Sequence, residues 1–391
     1  MRYISIKSRE GKGEGMNRRE FLRLSAAAGA AIAGGGILSA CDLEDLALRG
    51  VRIVDPHAHP DQFYADNPSV IDASSTLATI VEIGMVASSF AAVGDLWYLT
   101  NPTLEDVSGN EYANVDRQLD KVEDLVAAGK VKLIRTVSDI PYALMTGVPP
   151  GAILSIEGGD PLTSGSVGAD PQRFADDRIE EYYGRGVRII TLIHYHHNLL
   201  GECQAPKFPP EVDPAPSVPG LTPLGAHVVG RMMDRGILVD VAHAAGATVE
   251  GVAEIARGKN RPIIDSHTGL RPDAGESPSR RLRTFEEMAR IAETGGVVCT
   301  WPFAWQTDAA SRLTFADWAA EIRRMKNEIG MAHVGLGTDG GGGLPAMIEG
   351  YNGVQDLGKL ALEMRKAGLS QQDVQAFFGG NLLRVLKACI G

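Results

Sequence analysis

Two histidines one residue apart, His57 and His59, stand in the segment VDPHAHPD (54–61), just after an apolar run. Side chains on a strand alternate with period two, so both imidazoles point to the same side and can reach one metal ion. Taken alone, the pair is equally compatible with a polar loop. The rest of the chain repeats the arrangement. Glu157, His194, His243, His267 and Asp339 each stand at the C-terminal end of an apolar run, and five of the nine histidines fall at such ends. One core histidine satisfied by a backbone carbonyl is ordinary; five at equivalent positions are not explained that way. Imidazole and carboxylate donors together suit Zn2+ or a similar divalent ion.

The runs that must position these residues are 51–57, 85–93, 131–137, 152–158, 187–194, 237–243, 262–267, 295–301 and 333–339. Mostly apolar and rich in Val and Ile, they suit parallel strands buried on both faces. Helical stretches separate them. Thr284 and Glu287 form a capping-box pattern ahead of Met288 and Ile291, and Gly295-Gly296 stop that helix. Repeated βα units give a doubly wound sheet or a (β/α)8 barrel. No G-x-G-x-x-G follows the first strand, which counts against a dinucleotide-binding fold. The expectation is an α/β chain folded as a (β/α)8 TIM-type barrel, whose strand C-termini converge on one face and build the active site. Nine runs compete for eight positions, and 131–137 is the one to demote.

The bulk numbers agree. The 391 residues, 44% hydrophobic and 22% charged, can bury a sizeable core. A net charge of −11 and the absence of a basic stripe after the N-terminus argue against a nucleic-acid partner. The segment MNRREFLRLSAAAGAAIAGGGILSAC (16–41) has a basic start, an Ala/Gly-rich apolar stretch and small residues before a cysteine. Arg18 and Arg19 resemble the twin-arginine export signal, and Leu38-Ser39-Ala40-Cys41 resembles a lipobox, in which Cys41 is lipidated. The apolar stretch is too short and Gly-rich for a confident membrane span. Residues 1–40 are therefore expected to be a signal segment with Met16 as an alternative start, 41–50 a short linker, and 51–391 the barrel. The expected partners are the export machinery and, through a lipid anchor, the membrane of the cell envelope. A homo-oligomer is compatible with the sequence. Removing 1–40 takes away seven Lys/Arg and three Asp/Glu and moves the net charge from −11 to −15. Cys203, Cys299 and Cys389 are too widely spaced for a metal or disulfide framework and are expected as buried thiols.

Seven segments carry a resemblance: SIEGGD, TLIH, VDVAH, IIDSHTGLR, SPSRRLRTFEEM, HVGLGTDGGG and FFGGNLLRVL. In this order, over roughly 51 to 391, the chain resembles the membrane (renal) dipeptidases of the amidohydrolase superfamily. The resemblance implies two divalent metal ions, with zinc the expected metal. His57 and His59 would hold the first, His243 and His267 the second, and Glu157 would bridge them. It further implies that Asp339 contacts the attacking water, that His194 sits beside the substrate carbonyl, and that Arg280 grips the substrate carboxylate, with Arg281 as the alternative. The implied reaction is hydrolysis of small dipeptides.

One departure stands out. These dipeptidases usually have His-x-Asp on the first strand, whereas this chain has His57-Ala58-His59, the pattern of most other amidohydrolases. A neutral ligand in place of an anionic one changes metal affinity and water acidity. Another amide, a lactone or an ester is therefore the alternative substrate, and a non-catalytic envelope protein that binds a metal or ligand is the alternative outside enzymes. Asp61 is a candidate substitute ligand, with a loop or helix-cap role the simpler expectation. His196 and His197 are expected on an exposed loop, His227 just ahead of a helix, and His333 at the end of its strand away from the metals. Asp55 supports the site or closes a turn, and Trp301, Phe303 and Trp305 line the pocket or simply pack. GLGTDGGGG (335–343) lacks the Lys and Ser/Thr of a P-loop and is expected to give flexibility beside Asp339.

Overall fold

The first strand to form the barrel is β1 (Val54–Asp55), and β2 (Ala87–Val93), β4 (Gly151–Glu157), β5 (Val187–Thr191), β6 (Leu238–Asp240), β7 (Ile264–Thr268), β8 (Val297–Thr300) and β11 (Val334–Leu336) follow it around. All neighbouring pairs are parallel. The ring closes beyond the strand ends, where Asp339 N–H donates to His57 C=O (3.0 Å) and His59 N–H to Gly340 C=O (2.7 Å). The demoted run does stand off this ring: β3 (Lys132–Leu133) pairs only with β4. A small antiparallel pair, β9 (Trp305–Gln306) and β10 (Ser311–Arg312), lies outside it. This computed structural model describes residues 39–64, 72–95, 110–144, 147–166, 170–207, 213, 218–272 and 281–391. Met16, Arg18, Arg19 and Arg280 lie outside the described residues.

Helices alternate with the strands: α1 (Ala40–Ala47), α2 (Leu77–Glu82), α3 (Asn110–Ala127), α4 (Pro171–Arg185), α5 (Pro223–Arg235), α6 (Gly246–Lys259), α7 (Phe285–Glu293), α8 (Phe315–Ile329), α9 (Leu357–Lys366), α10 (Gln371–Gln375) and α11 (Asn381–Ile390). Their starts follow the local chemistry. Thr284 caps α7 in a reciprocal box with Glu287, and Asp170 and Thr222 cap α4 and α5 just before a proline. Residues 41–50, expected as a linker, are mostly helix. Ser39 caps α1 by bonding Asp42, Cys41 lies in its first turn, and Ala47 is buried in the core. No helix among the described residues is long and apolar enough to cross a membrane.

The strand pleat sorts the barrel interior into layers. Alternation places Ile153, Ser155 and Glu157 on one face of β4, and Leu238 and Asp240 on one face of β6. At the bottom, Val54, Ile153, Ile189, Leu238, Ile264 and Val297 pack with Leu382, Val385 and Leu386 of α11, which plugs the N-terminal end. Two residues further along their strands come Ser89, Ser155, Thr191, Asp240 and Ser266, all buried and polar. The opposite strand faces supply Leu154, Ile156, Ile190 and Val239 to the larger core under the helices.

Candidate metal centre

The polar middle layer is the footing of the site above it. Asp240 accepts four hydrogen bonds, from Ala242 N–H (3.0 Å), Ser266 N–H (2.9 Å), Ser266 Oγ (2.6 Å) and Thr191 Oγ1 (2.6 Å). Its lone pairs are filled, so it braces ligands rather than acting as one. Asp55 does the same on the other side, accepting from the N–H groups of His57 (3.2 Å) and Thr338 (3.1 Å) and from the Thr338 hydroxyl. Burial pushes its carboxyl up to about 6, against those hydrogen bonds.

Glu157, at the end of β4, is the centre. Its Oε1 lies 3.2 Å from Nε2 of His57, 3.2 Å from His243, 3.4 Å from His194 and 3.4 Å from His267. Its Oε2 lies 3.3 Å from Nε2 of His59. Asp339 completes the ring of donors, with Oδ1 3.7 Å from His59 Nε2 and 3.9 Å from His57 Nε2. Each of these side chains is buried or nearly so. Two of them, His243 (φ 65°) and Asp339 (φ 49°), hold left-handed backbone that non-glycine residues rarely adopt. Such strain persists only where surrounding structure over-determines it, and it clusters at working sites.

The hydrogen-bond roles show what fits between these atoms. His59 Nδ1 lies 2.8 Å from the Ala91 carbonyl, which only accepts, so Nδ1 holds the proton. In the neutral ring the Nε2 lone pair then faces a carboxylate oxygen. His267 Nδ1 lies 2.8 Å from Ser266 Oγ, whose own hydrogen goes to Asp240, so its Nε2 is a lone pair too. That lone pair lies 3.1 Å from Nε2 of His243. His57 Nε2 is buried and makes no hydrogen bond of acceptable geometry. Acceptors converging on acceptors need a proton or a metal cation between them, and imidazole nitrogens with carboxylate oxygens suit a divalent metal. The residues present therefore fit a metal centre.

Charge in the metal-free cluster is shared accordingly. Burial opposes ionisation of Glu157, yet His194 and His57 hold its carboxyl well below the usual range. Burial also disfavours the His57 cation, but Glu157 and Asp339 push that imidazole up to about 9. Burial, with Arg281 and His194, holds His243 well below its ordinary value, and burial, His57 and Arg281 do the same for His267. Neutral imidazoles are the form that binds metal. Burial raises the Asp339 carboxyl, against the pull of His57.

Arg280 lies outside the described residues, but its neighbour Arg281 borders the site. Its guanidinium carbon lies 5.1 Å from the centre of the Trp301 ring, and Nη2 donates to His267 C=O (3.4 Å). The Trp301 ring in turn packs 5.6 Å from His267, and Phe303 packs against Trp301. Trp305 instead lines a separate hollow of about 310 Å³ with Leu270 and Arg312. Asp61 accepts from Leu77 N–H at the start of α2, a helix-end role. Three expectations need correction. His196 is buried, 2.9 Å from Asp160, and His197 is half-buried, its Nδ1 accepting from Cys203 N–H. His227 lies within α5, paired with Asp176. The glycines after Asp339 serve close packing rather than flexibility: a Cβ on Gly341 would collide with His59 C=O, and one on Gly342 with the Asp339 carboxylate. Cys203 and Cys299 are buried thiols as expected, while Cys389 is half-buried. The residue missed altogether is Asp95, fully buried just after β2, whose Oδ1 lies 2.6 Å from His194 Nδ1. It follows its apolar run just as the other site residues follow theirs.

A family model described as membrane dipeptidase (peptidase family M19) matches residues 39–389. The chain belongs to that family. Its relatives include Dipeptidase aclJ of Aspergillus oryzae, 31% identical over 211 residues, or 52% of this chain and 46% of that protein. Dipeptidase verJ of Clonostachys rogersoniana is 29% identical over 52% of this chain and 49% of its own length. The chain thus spans about half the length of the curated relatives it matches. Among solved structures, the probable dipeptidase PvdM of Pseudomonas aeruginosa superposes with a TM-score of 0.71 at 18% identity, covering 90% of this chain and 99% of that one. A metallopeptidase of Rhodobacter sphaeroides, solved with a phosphinate mimic of L-Ala-D-Ala, gives 0.67 at 17% identity over 87% and 99%. At such identities the likeness is one of fold. His59 places a fifth imidazole around Glu157.

Proposed function

We propose that this protein hydrolyses the amide bond of small dipeptides at a centre of two divalent metal ions, with zinc the expected metal. The observation that carries the reading is Glu157, whose two oxygens meet five imidazoles within 3.4 Å. His57 and His59 would hold one ion, His243 and His267 the other, with Glu157 shared between them. Two cations bound there would lower the pKa of a shared water towards neutrality. Asp339, beside His57 and His59, accepts the proton released by the attacking water and passes it to the departing amine. His194 presents Nε2 to the substrate carbonyl oxygen, where negative charge develops. Arg280 would offer two parallel hydrogen bonds to a free C-terminal carboxylate, with Arg281, braced on Trp301, as the alternative. The dipeptide mimic bound by the Rhodobacter sphaeroides relative supports the substrate class.

His59 favours a second reading, the same centre acting on another amide, a lactone or an ester. A panel of L,L and L,D dipeptides beside simple lactones and esters separates the two. Dipeptide cleavage lost in Asp339→Asn supports the first; turnover confined to lactones or esters overturns it for the second. For location, we propose export through Arg18-Arg19 and anchoring at a lipidated Cys41. Retention of Cys41→Ser in the membrane fraction would contradict that anchor.

A further inference from the structure

We infer that Asp95 is the positioning residue of His194, fixing which imidazole edge meets the substrate carbonyl; the inference rests on the hydrolytic reading above. Asp95 is fully buried, and both of its oxygens are placed. Oδ1 lies 2.6 Å from His194 Nδ1, and Oδ2 accepts from Tyr195 N–H (3.1 Å). One carboxylate thus holds the ring and the main chain that carries it. A carboxylate accepts, so the Nδ1 edge of His194 carries the proton. The other edge, Nε2, is turned to the site centre, 3.4 Å from Glu157 Oε1.

The backbone is built to allow this reach. Asp95 and His194 come from the ends of different strands, β2 and β5, with β4 between them. Gly94 N–H donates to Glu157 C=O (2.6 Å), and a Cβ on Gly94 would collide with the Gly158 carbonyl. Gly158 holds φ 93°, and a Cβ there would meet both Asp95 N and His194 Cβ at 3.4 Å. Gly94 lets Asp95 pass the end of β4 and meet the imidazole, while Gly158 is favoured there by its left-handed backbone. Beside it, Asp160 and His196 pair at 2.9 Å, and donor atoms of all three side chains lie within 4.8 Å of one another. The Tyr195 ring packs 4.2 Å from the His194 ring and limits its tilt.

The role follows from the chemistry of the reaction. A histidine that donates from Nε2 to a developing oxyanion while Nδ1–H is engaged holds two protons, and the adjoining carboxylate compensates that charge. Asp95 therefore acts through His194 and touches no reacting atom. Its contribution is realised in the transition state rather than in substrate binding.

Asp95→Asn tests this directly. Tyr195 N–H still needs an acceptor, so the amide oxygen faces Tyr195 and the NH2 group faces His194. The Nδ1 atom must then accept, and the tautomer reverses. The readout is the long-range 1H–15N spectrum of the full chain carrying 15N-histidine, with and without Zn2+, the His194 signal being assigned by its loss in His194→Gln. The expected result is a protonated Nδ1 in wild type and an unprotonated one in Asp95→Asn. With dipeptides, kcat is expected to fall about 10–100-fold while KM stays within about twofold. An unprotonated Nδ1 in wild type overturns the inference even if the variant fails to fold, as does a folded variant with unchanged kcat. The expected spectra without any dipeptide turnover would support the placement of Asp95 while defeating the hydrolytic reading.

Discussion

Replacing Arg283 with Met removes the clamp on the turn that carries His243. Arg283 is buried between β7 and that turn, with Nε on Asp265 (2.7 Å), Nη1 on Ala244 C=O (2.7 Å) and Gln204 Oε1 (2.7 Å), and Nη2 on Val241 C=O (2.8 Å). The two carbonyls bracket Ala242-His243, where the backbone is left-handed. Breaking a buried pair by deleting one partner costs about 3–5 kcal/mol, because the other charge stays buried. The orphaned carbonyls add to this without being fully additive, so about 4–5 kcal/mol is expected. That is a large share of a typical stability of about 5–15 kcal/mol. Urea unfolding followed by circular dichroism should show a lowered midpoint at unchanged slope. Asp265→Asn with Arg283→Met should lose at least about 1 kcal/mol less than the sum of the single changes. Metal bound per folded chain should fall as the His243 turn loosens. A loss under about 1 kcal/mol with full metal content would refute the clamp.

Asp339→Asn should retain metal by elemental analysis yet lose about 10²–10⁴-fold in kcat, as expected when a group that moves a proton is removed. Arg280→Met, or Arg281→Met if that residue makes the contact, should raise KM about 10–100-fold for dipeptides with a free carboxylate, and leave C-terminally amidated ones little changed; equal effects on both substrates in both variants would deny either residue that contact. Gly94→Ala must push the β2 and β4 ends apart, so a stability loss of about 1–3 kcal/mol or more is expected in thermal unfolding. Chelation of metal should lower the melting temperature, since a ligand that binds only the folded state stabilises it.

The period-two rule and the strand-end rule made most of the site legible in the sequence. His57, His59, Glu157, His194, His243, His267 and Asp339 all meet at one end of the barrel, and the odd run at 131–137 stands outside the ring. Strand lengths were over-read, because the last residues of each run turn from pairing to the site: β1 spans two residues and β6 three. Asp95 obeyed the same rule, but no imidazole drew attention to it. Asp240 and Ser266 were hidden inside apolar runs, although their alternation with Leu238 and Ile264 marks an inward face. His196 was misplaced because its partner, Asp160, is distant in sequence and a polar loop looks exposed. Nothing local announces Arg283, whose contacts all depend on the tertiary fold.

The most direct test of the centre is a metal titration of the metal-free chain, with bound Zn2+ and hydrolysis of L-Ala-D-Ala measured in the same samples. The expected result is two equivalents per chain, with activity rising as they fill, and a loss of both in Glu157→Gln. Saturation at one equivalent with full activity, or activity that persists in the metal-free chain, would contradict a shared two-metal centre.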